Sequence, residues 1–539
     1  MPIEDFKWWG WGDAAHRTEV KPAQGDAIRA ELGVGPGEGA EPVALEAVEL
    51  PPARPLPDAV VRAAGGKEAV LTSDADRVRR AAGRSYPDLV RLRSGRLEEA
   101  PDAVIVPSSR ESVEALLAAC AEAGVAVVPF GGGSSVVGGL DAVDGGHAAV
   151  VSLDMAALRA VDLDRTSLTA RLGPGLRGPE AENALGGLGH TIGHFPQSFE
   201  QATIGGYAAT RSAGQASSGY GRFDELVTAV ELTTPSGAIR TLQTPHTAAG
   251  PALRELVLGS EGTLGVITEV TCRVRPLPEE RRYEGWMTRD WVAGREIIRE
   301  LAQHGEEPDV LRLSDEEETR VSLRLSGAEG MQKKALDAYL ALRRRSAGCL
   351  MICGWEGDHE SVRRRRALGH RRLRAGGAVP LGAAAGRSWE KGRFEGPYLR
   401  DELLGMGVFV ETLETSHTWS RLDELYQAVG GALKDALGKQ SIVMCHLSHA
   451  YPDGASLYFS FLARSRAGEE IAQWREAKSA ACDAIVATEG TITHHHAVGR
   501  DHAPYMTAEV GELGIEALRA VKGRLDPAGI MNPGKLLPA

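Results

Sequence analysis

An α+β architecture follows from three features of the chain. Residues 103–139 run in the order strand, helix, strand, glycine loop. Short apolar strands recur at 149–153, 167–172, 226–233 and 265–274. After Pro276-Leu-Pro278 the pattern changes to long charged helices mixed with strands at 407–413 and 455–462, and from 465 onward it is mostly helical.

Each element has a local cause. Trp8, Trp9 and Trp11 are large aromatics expected to dock onto a domain, and the Pro-rich stretch 51–57 that follows them is a connector. Ala103-Val-Ile-Val-Pro107 is a short apolar run, as a buried strand requires. In 109–122, Val113, Leu116, Leu117 and Cys120 fall on one helical face, with Ser109 or Ser112 as the cap. Val125-Ala-Val-Val-Pro129 is the next strand. The predicted division is 1–95 (helical and extended), 96–278, 279–470 and a helical closing segment, 471–539.

Composition narrows the function. Glycine is 65 of 539 residues, about 12% against an average of about 7%. No Gly-X-Y period exists and 43% of residues are hydrophobic, so the chain is neither collagenous nor disordered. A net charge of −12 argues against a general nucleic-acid binder. No apolar run reaches membrane-spanning length, and the first residues do not resemble a secretion signal, so a cytoplasmic location is expected. The six cysteines are scattered, with no C-x-x-C pair, and read as reduced thiols.

Part of the glycine excess gathers in three places, and the rest is scattered in turns and in the N-terminal third. Pro129-Phe130-Gly131-Gly132-Gly133-Ser134-Ser135 opens a loop whose amides can point inward unobstructed and cradle phosphate oxygens. It is neither a P-loop nor a Rossmann fingerprint. The second place runs from Pro196-Gln197 through Thr203-Ile-Gly205-Gly206, Thr210 and Ser212 to Ser218 and Tyr220; the third is Gly259-Ser-Glu261-Gly262-Thr-Leu-Gly265-Val266-Ile267. In this order the motifs resemble the FAD-binding domain of the vanillyl-alcohol-oxidase (PCMH-type) flavoproteins. The resemblance implies two α+β subdomains clasping FAD, a ferredoxin-like-derived α+β cap domain and helical terminal segments. It also implies that these named residues, from Pro129 to Ile267, line the cofactor. The glycine loop holds no His or Cys, which points to non-covalent FAD, and His147 reads as a surface-loop residue.

Three later motifs concern chemistry. They are Pro397-Tyr-Leu-Arg400-Asp401, Cys445-His446-Leu-Ser-His449 followed by Leu457-Tyr458-Phe-Ser-Phe461, and Thr493-His494-His495-His496. Adjacent positions on a helix face apart, so the triplet alone predicts no metal site. Imidazoles suit proton transfer near neutral pH. Taken alone, Tyr458 also fits a core tyrosine and Arg400 a surface ion pair. Together, from Lys7-Trp-Trp-Gly-Trp-Gly12 to Leu525-Asp-Pro, these segments resemble the alkyldihydroxyacetone-phosphate synthases of ether-lipid synthesis. That family exchanges the acyl group of acyl-dihydroxyacetone phosphate for a fatty alcohol through a flavin N5 adduct, without net redox change. By resemblance, Tyr458 moves the substrate proton, Arg400 lies beside flavin and substrate, and His494, His495 and His496 stand in the active site. Arg312 matches an arginine important for activity, and Thr203 lies at the cofactor. A phenol with a pKa of about 10 needs nearby cations to act as a base, and Arg400 and the histidines are the expected source.

The alternative is a FAD-dependent 2-hydroxy-acid dehydrogenase of the lactate, glycolate or hydroxyglutarate type. Its metal-binding members use two histidines and a glutamate, aligned here with His446, Tyr458 and His495. Imidazole in place of carboxylate disfavours a hard divalent ion, which favours the synthase reading. His449 is a histidine beyond the eukaryotic synthase pattern and the peroxisomal signal is missing, which together point to a bacterial relative. Arg343-Arg-Arg345, Arg363-Arg-Arg-Arg366 and Arg371-Arg372-Leu-Arg374 form a basic zone. It reads either as a solvated helix face beside the acidic stretch 315–318 or as a peripheral docking surface for the inner face of an anionic membrane. Acyl-dihydroxyacetone phosphate and a fatty alcohol are the implied substrates; a homodimer is left open.

Overall fold

The computed structural model describes residues 3–325 and 330–538. The first sheet has four strands, in the order Val70–Leu71, Ala103–Ile105, Ala149–Asp154, Val125–Phe130. Its last three strands are parallel and mostly apolar on both faces, because helices and the neighbouring sheet cover them. Helix Arg110–Ala123 packs Val113, Leu116, Leu117 and Cys120 beneath it. Ser109 and Ser112 form a reciprocal capping box at its start, and Gly124 ends it in the left-handed region.

The second sheet is antiparallel, in the order Val161–Asp164, Thr169–Leu172, Val266–Arg273, Val227–Thr234, Gly237–Arg240. Helix Ile204–Thr210 lies on it. Just past Pro278 begins a sheet of seven strands, Val379–Gly382, Glu280–Met287, Leu350–Gly357, Val310–Ser314, Ile442–Ala450, Gly454–Arg464 and Val408–Thr418 in spatial order. Every neighbouring pair in it is antiparallel. One face buries Leu311, Leu313, Cys445, Leu447, Phe459 and Phe461 under helices Trp291–Gln303, Leu422–Leu437 and Glu470–Ala487. The other face looks toward the glycine motifs.

Two segments tie the parts together. Near the start of the chain, Trp8 and Trp11 are buried, as expected of docking aromatics, and the Trp11 amide donates to Asp401 (2.6 Å). Near its end, the Val127 amide donates to the Ile530 carbonyl and the Asn532 amide to the Val127 carbonyl, so residues 530–532 extend the first sheet. All six cysteines are buried and unbridged. No helix among the described residues is long and apolar enough to cross a membrane.

Candidate active site

A cavity of about 900 Å³ lies between the glycine motifs and the seven-stranded sheet. Strand alternation explains the sheet side. Positions 444, 446 and 448 on one strand, 458, 460 and 462 on the next, and 410 and 412 on the third point into the cavity, while their odd-numbered neighbours enter the core. Register places Tyr458 directly between His446 and Glu414. The His446 ring stacks on Tyr458 at 4.8 Å. A bulge after Ser448 and a positive φ of 50° at His449 break the alternation, so Ser448 and His449 both face the cavity.

The glycine side is mostly main chain. Pro129, Phe130, Gly131, Gly132, Gly133, Ser134 and Ser135 all line the cavity. A Cβ on Gly132 would collide with the Gln201 carbonyl, so the loop reaches this position only as glycine. Among the described residues, none accepts a hydrogen bond from the amides of residues 131–135. Such a run of free amides beside a cavity fits the anionic oxygens of a dinucleotide cofactor. Gln197, Thr203, Gly205, Gly206, Thr210, Ser212, Gly262, Gly265, Val266 and Ile267 continue the lining. Thr203 caps helix Ile204–Thr210 by accepting from the Gly206 amide.

Glu261 also lines the cavity, but both its carboxylate oxygens are used elsewhere. They accept from the amides of Val498 and Gly499 at 2.8 and 2.7 Å. Burial pushes this carboxyl up to about 7 even so. Ser218 and Tyr220 correct the expected cofactor set, because neither reaches the cavity. Their short helix, Ser217–Tyr220, turns toward the seven-stranded sheet, where the Tyr220 hydroxyl donates to Glu356 (2.9 Å).

Arg400 is no surface ion pair. It is buried, one Nη donates to the Arg84 carbonyl (3.0 Å), and its Nε and other Nη have no protein partner. Two free guanidinium donors on the wall of a cavity are a receptor for an anionic oxygen. The neighbouring Asp401 turns the other way, to Trp11 and Lys7. Arg312 lines the cavity too, but Glu318 engages it at 2.7 Å and also meets His446 Nδ1 at 3.2 Å. Burial alone raises the Glu318 carboxyl; Arg312 and then His446 outweigh it and hold it near 2. Within the acidic stretch 315–318, Glu318 therefore serves the site. The basic zone finds other partners: Arg365 pairs with Asp309, Arg366 with Glu284, and Arg372 with Glu300 and Glu306.

His494, His495 and His496 lie in a loop, which corrects the expectation that they sit in a helical segment. Their three amides donate to the one carboxylate of Glu414, at 2.6, 3.1 and 2.8 Å, and the Thr493 hydroxyl joins them. Burial alone raises this carboxyl, but His495, then His496 and His494, keep it well below the usual range. His495 and His496 reach the cavity; His494 stands behind them, its Nε2 on the Tyr451 hydroxyl (2.8 Å). The loop also removes the reason for expecting no metal, since the side chains need not diverge as on a helix.

Tyr458 is likewise not activated as expected. Burial pushes its phenol up to about 12, against the opposing pulls of Thr412 and Arg400. Four of the nearby histidines add no cationic help, because burial holds His446 near 4, His496 near 3, and His449 and His494 well below the ordinary value. Tyr458 therefore begins as a proton donor.

Two further parts of the site were not foreseen. Glu414 was missed because its partners lie 80 residues away, although period-2 alternation from Thr412 marks its face. The other is an apolar arm of the cavity, lined by Ala27 and Ile28 of helix Pro22–Leu32, Val321 and Leu325 of helix Glu316–Leu325, and Leu399 and Leu403 of helix Gly396–Gly405. Leu403, Val410, Ile442, Met444 and Leu462 around it form a core cluster with Leu32.

The FAD binding domain family matches residues 101–243, and the FAD linked oxidase C-terminal domain family matches residues 277–536. An alkyldihydroxyacetonephosphate synthase from Dictyostelium discoideum is 31% identical over 99% of this chain and 94% of its own length. One from Trypanosoma brucei brucei is 30% identical over 100% and 93%. The chain belongs to the alkyldihydroxyacetonephosphate synthase family. A solved synthase of this family superposes with a TM-score of 0.85, covering 99% of each chain at 28% identity. p-Cresol methylhydroxylase shares the fold alone, at a TM-score of 0.66 and 15% identity. The glycolate oxidase subunit GlcD of Bacillus subtilis is 27% identical over 81% of this chain, more distant than the synthases. The cofactor of this synthase-family chain is FAD, and its fold is the α+β, PCMH-type flavoprotein fold.

Proposed function

We propose that this chain is an alkyldihydroxyacetone-phosphate synthase that replaces the acyl chain of acyl-dihydroxyacetone phosphate with a fatty alcohol and releases the fatty acid. The observation that supports this most is the joining, in one cavity, of Arg400's two free donors, the neutral Tyr458 phenol and an apolar arm. A 2-hydroxy acid has no need of the arm; a long chain does. FAD is held without a covalent bond in this reading. No cysteine lines the cavity, and the His147 ring is turned to the Gly529 carbonyl (3.1 Å).

Bound FAD supplies an electrophilic centre and ends each cycle in its starting oxidation state. The amides of residues 131–135 hold its phosphates. Arg400 Nε and Nη2 bind the substrate's anionic oxygen and orient the head group beside Tyr458. The neutral Tyr458 hydroxyl would hydrogen-bond the departing carboxylate and relay to it the proton that the alcohol loses as its oxygen takes the acyl oxygen's place, so that the phenol is unchanged each turnover. Arg312, charge-matched by Glu318, braces His446 against the Tyr458 ring. The sheet and the arm exclude water from the exchange.

The test is to give the purified yellow protein palmitoyl-dihydroxyacetone phosphate and hexadecanol. Palmitate should appear in step with the ether product while the flavin spectrum stays oxidised. Bleaching by D-2-hydroxy acids, with electrons passed to an acceptor and no ether formed, would instead establish the dehydrogenase. Peripheral membrane contact would use Arg363, Arg364, Arg371 and Arg374, which stand exposed on helix His359–Ala375. Flotation with anionic vesicles should weaken when these four are replaced by Glu; unchanged flotation removes the idea.

A further inference from the structure

We infer that His449, His494 and His495 form a binding site for one borderline divalent cation, zinc by preference. One ligand nitrogen from each lies within 4.8 Å of the others. His494 Nδ1 and His495 Nδ1 are 3.1 Å apart. Two nitrogens each about 2.0–2.1 Å from a tetrahedral ion stand about 3.3 Å apart, so this pair is already at ligand spacing. The three rings gather closely, His449 tilted against both partners with centroids 5.2 Å from His494 and 5.0 Å from His495.

Two of the three outer nitrogens are occupied as those of metal ligands are. His449 Nδ1 meets the Ser217 hydroxyl at 2.5 Å, and His494 Nε2 meets the Tyr451 hydroxyl at 2.8 Å. When each outer nitrogen is the one that carries the proton, His449 Nε2 and His494 Nδ1 turn lone pairs inward, the second-shell arrangement that fixes ligand tautomers. Glu414 stands 3.4 Å from His495 Nδ1 and sets a negative charge beside the ion; Arg222, near Tyr451 and His494, opposes it.

Backbone strain points the same way. His449 reaches the cluster only through the bulge after Ser448 and its own left-handed φ of 50°, a costly conformation for a side-chain-bearing residue. A proton shared between His494 and His495 explains their contact but gives the inner nitrogen of His449 nothing to do. With three imidazoles and no carboxylate among the ligands, the set suits zinc over magnesium or calcium. His449 and His495 line the cavity and His494 does not, so the fourth position opens to the cavity, for water or a substrate oxygen. That substrate oxygen rests on the function proposed above; the site itself does not.

The experiment reads metal rather than turnover. FAD-loaded, full-length protein is stripped with a chelator and titrated with Zn²⁺ by calorimetry and with Co²⁺ by its ligand-field absorbance. Saturation at about one ion per chain is expected. His449→Ala should weaken binding by at least about 100-fold, and Ser217→Ala by about 10- to 100-fold, with the flavin spectrum retained in both. No saturable uptake by the unaltered protein overturns the site. So does His449→Ala binding as tightly as the parent; should that variant not fold, undiminished binding by Ser217→Ala decides against the site and weakened binding decides for it.

Discussion

On one wall of the cavity the lining is main chain, from Gly131, Gly132, Gly205, Gly206 and Gly262; on the facing wall it is side chains, Tyr458, His446, Thr412 and Arg312, drawn from separate strands of the seven-stranded sheet. The first wall works by leaving atoms out. Glycines bring loops into contact and leave amides free for a ligand. The second works by register: antiparallel pairing sets Glu414, Tyr458 and His446 abreast. A substitution on the first wall should cost cofactor and packing. One on the second should cost chemistry while the cofactor stays.

Tyr458→Phe sharpens that contrast most. Turnover should fall by about 10³-fold, equivalent to about 4 kcal/mol, with full flavin absorbance. Activity within tenfold of the parent would remove Tyr458 from the chemistry. Gly132→Ala probes the opposite wall. The added methyl meets the Gln201 carbonyl, and about 1–3 kcal/mol of stability should go together with most of the bound FAD. If the variant melted at the parent's temperature with flavin intact, the glycine wall would not be acting through close approach.

The third experiment concerns pH. Burial holds the folded His496 near 3, below the unfolded value of about 6.5. As pH falls below about 6.5 the unfolded chain takes up a proton that the folded one refuses, so this residue's contribution to stability is lost on acidification. His496→Asn should flatten the fall between pH 6.5 and 5.5 by about 1 kcal/mol, read from denaturant unfolding at each pH. Parallel curves for the two proteins would mean the ring is open to protons in the fold. Ser109→Ala is the smallest of the four, about 1 kcal/mol from the lost cap of helix Arg110–Ala123, visible as a modest drop in Tm with flavin and turnover unaltered.

The same contrast explains what could be read in advance. The glycine wall is written in contiguous motifs, so its residues from Pro129 to Ile267 were legible except where the chain turned away at Ser218 and Tyr220. Strands at 125–129 and 455–462 and the helix at 109–122 declared themselves by period and cap. On the sheet wall Tyr458 was legible from alternation within its own strand, but its neighbours were not. Glu414 and His494 meet across 80 residues, and Ser217 and His449 across 232. The histidine loop was expected within a helical segment because its flanks are helical, although Gly490 and the β-branched Thr491-Ile-Thr493 were a local signal against it. The charge state of Tyr458 was misjudged because a cation nearby counts for less than full burial.

The strand Val125–Phe130, which leads straight into the glycine loop, has its outer hydrogen bonds completed by Ile530 and Asn532, and the Asn532 side chain donates to the carbonyls of Gly139 and Glu261. Two of the three glycine motifs are thus clipped by a residue made 393 positions after the one and 271 after the other. During synthesis the cradle can gather its strands early but cannot lock them until residue 532 has left the ribosome. Flavin loading then waits on the synthesis of residue 532, and a chain stopped before Ile530 should gather its sheets yet stay colourless.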